Sequence, residues 1–423
     1  MTTGVREVVV TGVGPVSAVG VGADDLWTSL VAGRTAVQSR TLPVDVAREV
    51  SLPLAAIPSD PAPRGLQPHL DFLAEQECAG YRDLAYAMLA VELALHDAGL
   101  SYSRTGNDLG VIQVFEAPGV EATVTRIFKL AGTPPDSAGP PQVYDPLAPS
   151  FYAMQPFLYV HLLGKAFGFH GLSTAVHNAC SSSGVAIDLA AQQIRSGAAD
   201  VMLVAGGEAF ETAVRLEWFR RLELYATHGQ MSPFEPQPNG FYVGEGAAAV
   251  VLESAKHASD RGATPYAVYR GGCFAQQSWK QVIPDVSRAR LRDAIVNALR
   301  RAELPWESLD LVVPHGAATQ LSDAYEAHCL SRALNGAETP AVATVFKPYT
   351  GHLLAASGLI ELVCALLAMR RGAIPATPGS DPSRVRLPVP LAAECLARRP
   401  RTVLKLLTGF TGHDAALVFS APS

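Results

Sequence analysis

The sequence has no excess of basic residues. It contains 33 Lys and Arg against 39 Asp and Glu in 423 residues, which gives a formal net charge of −6. A protein that binds nucleic acid through its phosphates needs a basic surplus to displace counterions, so that class of function is excluded. Charged residues make up only 17% of the chain, whereas 48% of residues are apolar, enough for a substantial core.

Long apolar runs and paired cysteines are also lacking. The best candidate for a membrane span, GLIELVCALLAM, carries Glu361 in its middle, and the apolar N-terminal stretch is broken by Gly12, Gly14 and Pro15. Neither a membrane helix nor a signal peptide is therefore expected. The six cysteines form no CxxC pair and have no regular spacing, which favours reduced thiols over a disulfide framework or a zinc site. We expect a globular cytoplasmic protein.

The sequence pattern predicts alternating strands and helices. REVVVTGVG reads as a buried first strand that ends in glycines, and residues 107–115 read as a second strand. Between them, an apolar stripe at Leu84, Met88, Val91 and Leu95 predicts a helix that ends at Gly99. Two other segments are predicted to be irregular: a Pro- and Ser-rich connection at 40–67, and a Gly- and Pro-rich loop or cap at 117–149.

Residues 90–112 and 294–313 resemble each other. Each reads as a helix, a short turn and a strand. Two such units indicate a duplicated α/β fold related by a pseudo-twofold axis, with one half over residues 1–254 and the other over residues 255–423. A site is then expected between the halves.

Cys180 is a candidate nucleophile. It lies in AVHNACSSSG, between a β-prone segment and a helix whose apolar positions recur from Ala186 to Ile194. At a helix N-terminus, free backbone N–H groups and the helix dipole favour a thiolate and provide donors for an oxyanion, so we expect a lowered thiol pKa. The alternative is that Cys180 is a small buried core residue, as free cysteines often are.

Two histidines in the second half follow short apolar segments. His315 comes after LDLVVP in HGAAT, and His352 follows Lys347 in FKPYTGH. Side chains at the ends of different strands can converge at one edge of a sheet. One thiol and two imidazoles are therefore expected to meet.

These motifs together resemble the β-ketoacyl synthases of the thiolase-like superfamily over nearly the whole chain. The segments that carry the resemblance are VVVTGVGPVS, NACSSSGVAIDLA, ADVMLVAGGEA, MSPFEPQPNGFYVGEGAAAVVLE, HGAAT, the K-x4-H pair and GFTGHDAALVF. The resemblance implies a thiolase-like fold with duplicated halves in a five-layered α-β-α-β-α sandwich.

The resemblance also implies a reaction and its residues. Cys180 would hold an acyl group, and the enolate from a malonyl-type carrier-protein thioester would attack it in a decarboxylative Claisen condensation. His315 and His352 would stabilise the enolate oxygen, and Lys347 would support them. The remaining expected site residues are the backbone N–H groups of Cys180 and Phe410 as the oxyanion hole, the supporting acids Glu361 and Asp323, and the substrate-binding positions Thr319, Ala317 and His413.

The implied partners follow from the same resemblance. No metal and no organic cofactor is expected, because substrates arrive on the phosphopantetheine of an acyl carrier protein. A dimer through the first half is expected, with a second copy or with a paralogous ketosynthase-like subunit. Carrier proteins are acidic, so Arg215, Arg220 and Arg221 are candidate docking residues.

Departures from the family pattern leave two alternative functions open. Ala317 replaces a threonine and Ala318 replaces a glycine of the usual HGTGT motif, and His413 and Asp414 stand where Thr and Asn are usual. They raise the alternative of an acyltransferase that loads Cys180 without decarboxylation. The other alternative is a partner subunit similar to a chain-length factor, although such subunits generally lack the cysteine.

Overall fold

The computed structural model describes residues 6–101, 108–131, 144–228 and 230–422. Its strands are β1 (Val8–Ser17), β2 (Gly20–Val21), β3 (Val37–Pro43), β4 (Glu49–Ala55), β5 (Gly110–Val114), β6 (Ser173–Val176), β7 (Val201–Glu208), β8 (Gly246–Ser254), β9 (Ala267–Gln276), β10 (Leu311–Val313), β11 (Val342–Ala343), β12 (Thr402–Gly409) and β13 (His413–Ser420). Its helices are α1 (Ala23–Val31), α2 (Leu66–Glu75), α3 (Arg82–Ala98), α4 (Val120–Ala131), α5 (Tyr144–Ala153), α6 (Pro156–Phe167), α7 (Ser182–Arg195), α8 (Val214–Arg221), α9 (Ala255–Asp260), α10 (Arg290–Ala302), α11 (Gln320–Leu334), α12 (Lys347–Thr350) and α13 (Ser357–Arg371).

Eleven of these strands form one sheet. Its order is β11-β10-β12-β13-β9-β1-β8-β7-β5-β6, with β2 paired to β1. Strands of the first half lie on one side and strands of the second half on the other, and the two sides are joined where Val8–Val10 of β1 pairs with Ala267–Tyr269 of β9. The predicted boundary between residues 254 and 255 falls at the end of β8 and stays a prediction.

The helices pack in layers around this sheet. Helix α3 covers β1, β7 and β8 on one outer side, and α10 covers β9 and β13 on the other, where it also packs on α11. Between the two sheet halves lie α7 and α13, which contact strands of both. The result is the order helix, sheet, helix, sheet, helix, and the predicted thiolase-like α/β fold is confirmed.

Close packing in the first half depends on a small residue in β1. A methyl group placed on Gly14 would lie 1.9 Å from the backbone oxygen of Ala90 in α3, closer than any side chain can come. Interiors pack at crystal-like density, so the strand can approach this helix only with glycine there. The glycines that the sequence pattern reads as a strand end are in fact inside β1, where they admit α3.

Several of the predicted elements are confirmed. The first strand is buried along its length, α3 ends at Gly99 in a left-handed conformation, and β5 occupies part of 107–115. The two irregular predictions are wrong in part. Residues 40–67 contain the whole of β4, which forms a hairpin with β3, and the described part of 117–149 contains α4. Residues 132–143 lie outside the described part.

Two further expectations concern the redox state of the cysteines and the presence of membrane-spanning helices. All six cysteines are free thiols, as predicted. Within the described ranges, no helix combines the length and apolar character that crossing a membrane requires.

Candidate active site

Cys180 lies between β6 and α7, as the sequence predicts. Ala179 before it has a left-handed backbone (φ 48°), and α7 begins two residues later at Ser182. The turn is held by Asn178, whose backbone N–H donates to the Ser182 hydroxyl at 2.8 Å. Cys180 is buried, with 7% of its surface exposed. The thiol is therefore at the start of a central helix, in the layer between the two sheet halves.

His315 follows β10 and is fixed by a carboxylate that the sequence analysis missed. The backbone N–H groups of His315 and Gly316 donate to the two oxygens of Glu326, at 2.6 and 2.9 Å. Glu326 is on α11 and is fully buried. Hydrogen bonds to a carboxylate are about twice as strong as neutral ones, so α11 holds the loop after β10 in place.

Lys347, Glu361 and Lys405 form a buried row of charges beside the histidines. Lys347 Nζ lies 2.6 Å from Glu361 Oε1, and the ammonium of Lys405 pairs with Glu361 Oε2. None of the three side chains is more than 1% exposed. Lys347 is thus paired with Glu361, one of the two acids expected to support the site. The second lysine lies in the middle of β12, and the sequence analysis missed it.

The hydrogen bonds of Lys347 determine which ring nitrogen of His315 carries hydrogen. Lys347 Nζ lies 3.3 Å from His315 Nδ1 and 2.5 Å from the His315 carbonyl oxygen. An ammonium group can only donate, so Nδ1 accepts. In the neutral ring the hydrogen is then on Nε2.

His352 has the same tautomer for a different reason. Its Nδ1 accepts the backbone N–H of Leu354 at 3.1 Å and lies 2.7 Å from the Ser357 hydroxyl. Ser357 already accepts the N–H of Leu353, so its own hydrogen is directed to Nδ1. The hydrogen of the neutral His352 ring is therefore also on Nε2.

Both imidazoles are neutral. Burial lowers the pKa of His315 well below its usual value, and the positive charge of Lys347 lowers it further. Burial is also the main cause that lowers the pKa of His352, followed by Lys347 and Lys405. The two rings are in edge contact, with centroids 5.4 Å apart. Each thus offers one N–H donor from its Nε2 atom.

The thiol and both imidazoles line one cavity of about 550 Å³. Aromatic and aliphatic side chains from α8 and from the end of β12 form much of the remaining wall, including Trp218, Phe219, Leu222 and Phe410. Of the other predicted site residues, Ala317 and Thr319 line the cavity as well. A mainly apolar cavity with a few convergent polar groups is typical of a small-molecule site.

The loop after β12 brings a second backbone donor towards the thiol. A methyl group on Gly409 would lie 3.3 Å from the backbone nitrogen of Cys180, so the two backbones are in close contact there. The next residue is Phe410, whose ring packs on Trp218 and Phe219. The N–H groups of Cys180 and Phe410 therefore start from neighbouring positions, as an oxyanion hole needs.

The expectation that the helix N-terminus lowers the pKa of the Cys180 thiol is wrong. Burial raises the pKa of Cys180 far above its usual value, and the nearby carboxyl of Glu116 raises it further, whereas Lys347 only partly offsets these effects. Desolvation disfavours the thiolate more than the first turn of α7 favours it. The resting thiol is neutral.

Two other expectations need correction, and Asp323 stays a predicted supporting acid. One of its carboxyl oxygens accepts the backbone N–H of Phe234 at 2.7 Å, and burial raises the pKa of Asp323 to about 7. His413 does not line the cavity but approaches Asn178 at 3.4 Å. Arg215, a predicted docking residue, is only 16% exposed and forms ion pairs with Glu121 and Glu208, so its charge is already compensated within the chain.

Glu116 is a cavity residue that the sequence analysis did not identify. It follows β5, the strand next to β6, and lines the cavity with Cys180. It lies between the predicted strand at 107–115 and the Gly- and Pro-rich stretch that begins at residue 117, so neither prediction includes it. The only available signal was a single carboxylate directly after an apolar strand.

Two family models match the chain. The model described as beta-ketoacyl synthase, N-terminal domain, matches residues 5–258, and that described as beta-ketoacyl synthase, C-terminal domain, matches residues 266–381.

Similar proteins are found over the full length. A Streptomyces halstedii protein named polyketide beta-ketoacyl synthase 1 is 30% identical over 99% of this chain and 98% of that protein. The 3-oxoacyl-[acyl-carrier-protein] synthase 2 of Coxiella burnetii is 26% identical over 98% of each chain.

Solved structures have the same fold. A beta-ketoacyl synthase from Burkholderia phymatum STM815 superposes with a TM-score of 0.79 at 26% identity, over 99% of this chain and all of that one. The ishigamide ketosynthase/chain length factor superposes with a TM-score of 0.81 at 23% identity, over 99% of this chain and all of that one.

Proposed function

The chain belongs to the β-ketoacyl synthase family, and from that membership we propose the role of each cavity residue in its condensation reaction. The enzyme is an acyltransferase of the 3-oxoacyl-[acyl-carrier-protein] synthase type, which acts in fatty acid or polyketide biosynthesis. The observation that carries the proposed roles is that Cys180, His315 and His352 line a single cavity.

Cys180 accepts the acyl group in the first step. Its sulfur attacks the carbonyl carbon of an acyl thioester, and a negative charge develops on the carbonyl oxygen. The backbone N–H groups of Cys180 and Phe410 stabilise that charge, because donors fixed in advance pay no reorganisation when the charge forms. The pantetheine thiol leaves, and the acyl group stays on Cys180.

His315 and His352 act in the second step. A malonyl-type thioester loses carbon dioxide, and the resulting enolate carries its charge on the thioester oxygen. Two neutral rings that both present Nε2–H can donate to this one oxygen, which is what stabilisation of an enolate requires. Lys347 keeps His315 in this tautomer. The enolate carbon then attacks the acyl group on Cys180, giving the β-ketoacyl thioester and the Cys180 thiolate, which takes up a proton from solvent to return to the thiol.

Replacement of either histidine is expected to impair decarboxylation far more than acylation. In His315→Ala or His352→Ala protein, release of carbon dioxide from malonyl carrier protein should fall by about 10²- to 10³-fold, the usual cost of one such donor. The amount of acyl-Cys180, measured by intact mass, should change much less. Because both pKa values are lowered, the wild-type decarboxylation rate should show no histidine titration between pH 8 and pH 6.

The control is His96→Ala, which removes an exposed histidine near the end of α3 and should leave both steps unchanged. If wild-type protein formed acyl-Cys180 but neither released carbon dioxide nor made a β-keto product, the acyltransferase alternative would replace this proposal. Unchanged pathway output with a Cys180→Ala protein would instead favour a partner subunit.

The proposed partner in catalysis is an acyl carrier protein that presents its thioester at the mouth of the cavity. Helix α8 borders this cavity through Trp218 and Phe219, and its last residues are Arg220 and Arg221. Arg220 forms an ion pair with Glu217 of the same helix. Both arginines stay predicted docking residues, in place of Arg215.

A dimer through the first half is supported by an exposed apolar edge. Strand β6 ends the described sheet, and Leu172 next to it is 49% exposed. Tyr152 and Phe157, which pack edge to face near the start of α6, are 60% and 55% exposed. Helix α6 packs on β6, and exposed apolar side chains of this size beside an edge strand are typical of a protein interface.

Sedimentation of the purified protein tests this interface. A homodimer should sediment at twice the chain mass, and Leu172→Lys with Phe157→Glu should convert it to a monomer. If the wild-type chain is monomeric alone but sediments as a pair when mixed with a paralogous ketosynthase-like subunit, the dimer is heteromeric. If the chain is monomeric both alone and in the mixture, the proposed interface is contradicted.

A further inference from the structure

The acylation step needs a proton acceptor, and the two histidines cannot supply it. The resting thiol of Cys180 is neutral, so its proton must leave when sulfur attacks the thioester. In both His315 and His352, Nδ1 already accepts hydrogen bonds and Nε2 already carries hydrogen. A neutral imidazole in this state has no free acceptor for the thiol proton.

In the part of the chain that the structure describes, the other ionisable groups that line the cavity leave one candidate. Lys280 has no acceptor, Glu223 is exposed on the rim, and the Tyr325 hydroxyl donates to Asp414 at 2.6 Å. Glu116 remains. Among the described residues, its Oε2 atom is buried and has no hydrogen-bond partner.

The backbone holds Glu116 beside the nucleophile turn. Strands β5 and β6 are parallel neighbours that pair Val114 with Val176, so both chain segments leave the same sheet edge. The His177 ring lies 2.6 Å, through Nε2, from the carbonyl oxygen of Glu116, and the Glu116 N–H donates to Glu208 at 2.9 Å. Glu208 is itself held by Arg215. The backbone of Glu116 is thus held on both sides. Its carboxyl group takes no part in these bonds and lines the cavity.

We propose that Glu116 is the proton acceptor for Cys180 in the acylation step. The inference rests on the proposed function of Cys180 as the nucleophile. The thiol proton moves to Glu116 Oε2 as the sulfur bonds to the acyl carbonyl carbon. The tetrahedral oxyanion collapses, the carbon–sulfur bond to pantetheine breaks, and the departing sulfur takes the proton from Glu116. No net proton is gained or lost.

The electrostatics of Glu116 agree with this role. Burial raises the pKa of its carboxyl, which makes the carboxylate a stronger proton acceptor than an exposed glutamate. The same negative charge raises the pKa of the Cys180 thiol. Glu116 therefore suppresses the free thiolate and also provides the route by which the thiol loses its proton during attack.

Two rates for Cys180 test the proposal in Glu116→Gln protein. Acylation from acetyl and octanoyl carrier protein, followed by intact mass, should slow about 10²-fold for both chains, as expected on loss of a general base. Alkylation by iodoacetamide, which needs only a thiolate, should be as fast as in wild type or faster because the repelling charge is gone. Glu116→Asp should recover part of the acylation rate.

Glu211→Gln is the matched control, because it neutralises a nearby carboxylate that pairs with Arg82 and does not line the cavity. Both of its rates should match wild type. A parallel fall of acylation and alkylation in Glu116→Gln would mean a structural role, and a fall for one acyl chain alone would mean recognition of that chain. Either outcome, or unchanged acylation, overturns the inference without affecting the role of Cys180. Failure of wild-type Cys180 to acylate at all would instead overturn the proposed function.

Discussion

Cys180→Ala protein is expected to lose condensation by at least about 10³-fold and yet to go on decarboxylating malonyl carrier protein. The loss follows because Cys180 is the only cysteine among the described residues that line the cavity, so none of the others can hold the acyl chain as a thioester. Removal of a covalent nucleophile typically costs this much or more. Decarboxylation should persist within about tenfold, since the two Nε2–H donors of His315 and His352 do not depend on the sulfur. The measurements are β-keto product and carbon dioxide, determined in the same reaction.

The control for this prediction is a second cysteine. Cys364 is as fully buried as any residue of α13 but lies away from the cavity lining, so Cys364→Ala should retain condensation. If Cys180→Ala protein condensed substrates at the wild-type rate, the acyl group would not be held on Cys180. Loss of carbon dioxide release together with condensation would show that the sulfur takes part in both steps, against the division of roles proposed above.

The nucleophile turn and the histidines could be predicted from sequence for a physical reason. A thiol at a strand-to-helix turn can be recognised from the local sequence, because small residues must follow it for the helix to pack between two sheets. The sequence signal for His315 and His352 is weaker, since each only follows a short apolar segment. What linked them was the joint order of the motifs over the whole chain, and the structure brings all three side chains to one cavity.

The groups that surround the histidines could not be predicted in the same way. Lys405 interrupts the apolar strand TVLKLLTG, where a lone lysine normally marks an exposed position. Glu326 is one of several polar residues of α11, whose apolar pattern does not single it out. Their roles depend on contacts with Glu361 and with the backbone of His315, which are distant in sequence.

The charge state of the Cys180 thiol shows a second limit of prediction from sequence. A helix N-terminus is visible in sequence and favours a thiolate, but the depth of burial and the position of Glu116 are not visible. Both raise the pKa of Cys180. The local rule is outweighed by desolvation, which only the packed structure reveals.

Glu361→Gln is expected to destabilise the protein by about 3–5 kcal/mol, the usual cost of leaving buried charges unpaired. Lys347 and Lys405 are both fully buried, and Glu361 is the carboxylate between them. A neutral amide leaves two ammonium groups in contact with one uncharged side chain. The free energy of unfolding in urea should fall by this amount, and decarboxylation should fall too, because Lys347 would no longer hold His315 in place.

The double variant Glu361→Gln with Lys405→Met separates unpaired charge from other causes. Removing one of the two stranded ammonium groups should make the double variant more stable than Glu361→Gln alone, although two residues have been changed. Lys256→Ala, which breaks an exposed ion pair with Asp260, should have little or no effect on unfolding. If the double variant were instead less stable than the single one, unpaired charge would not be the cause of the loss, and the buried charge row would not be what stabilises the site.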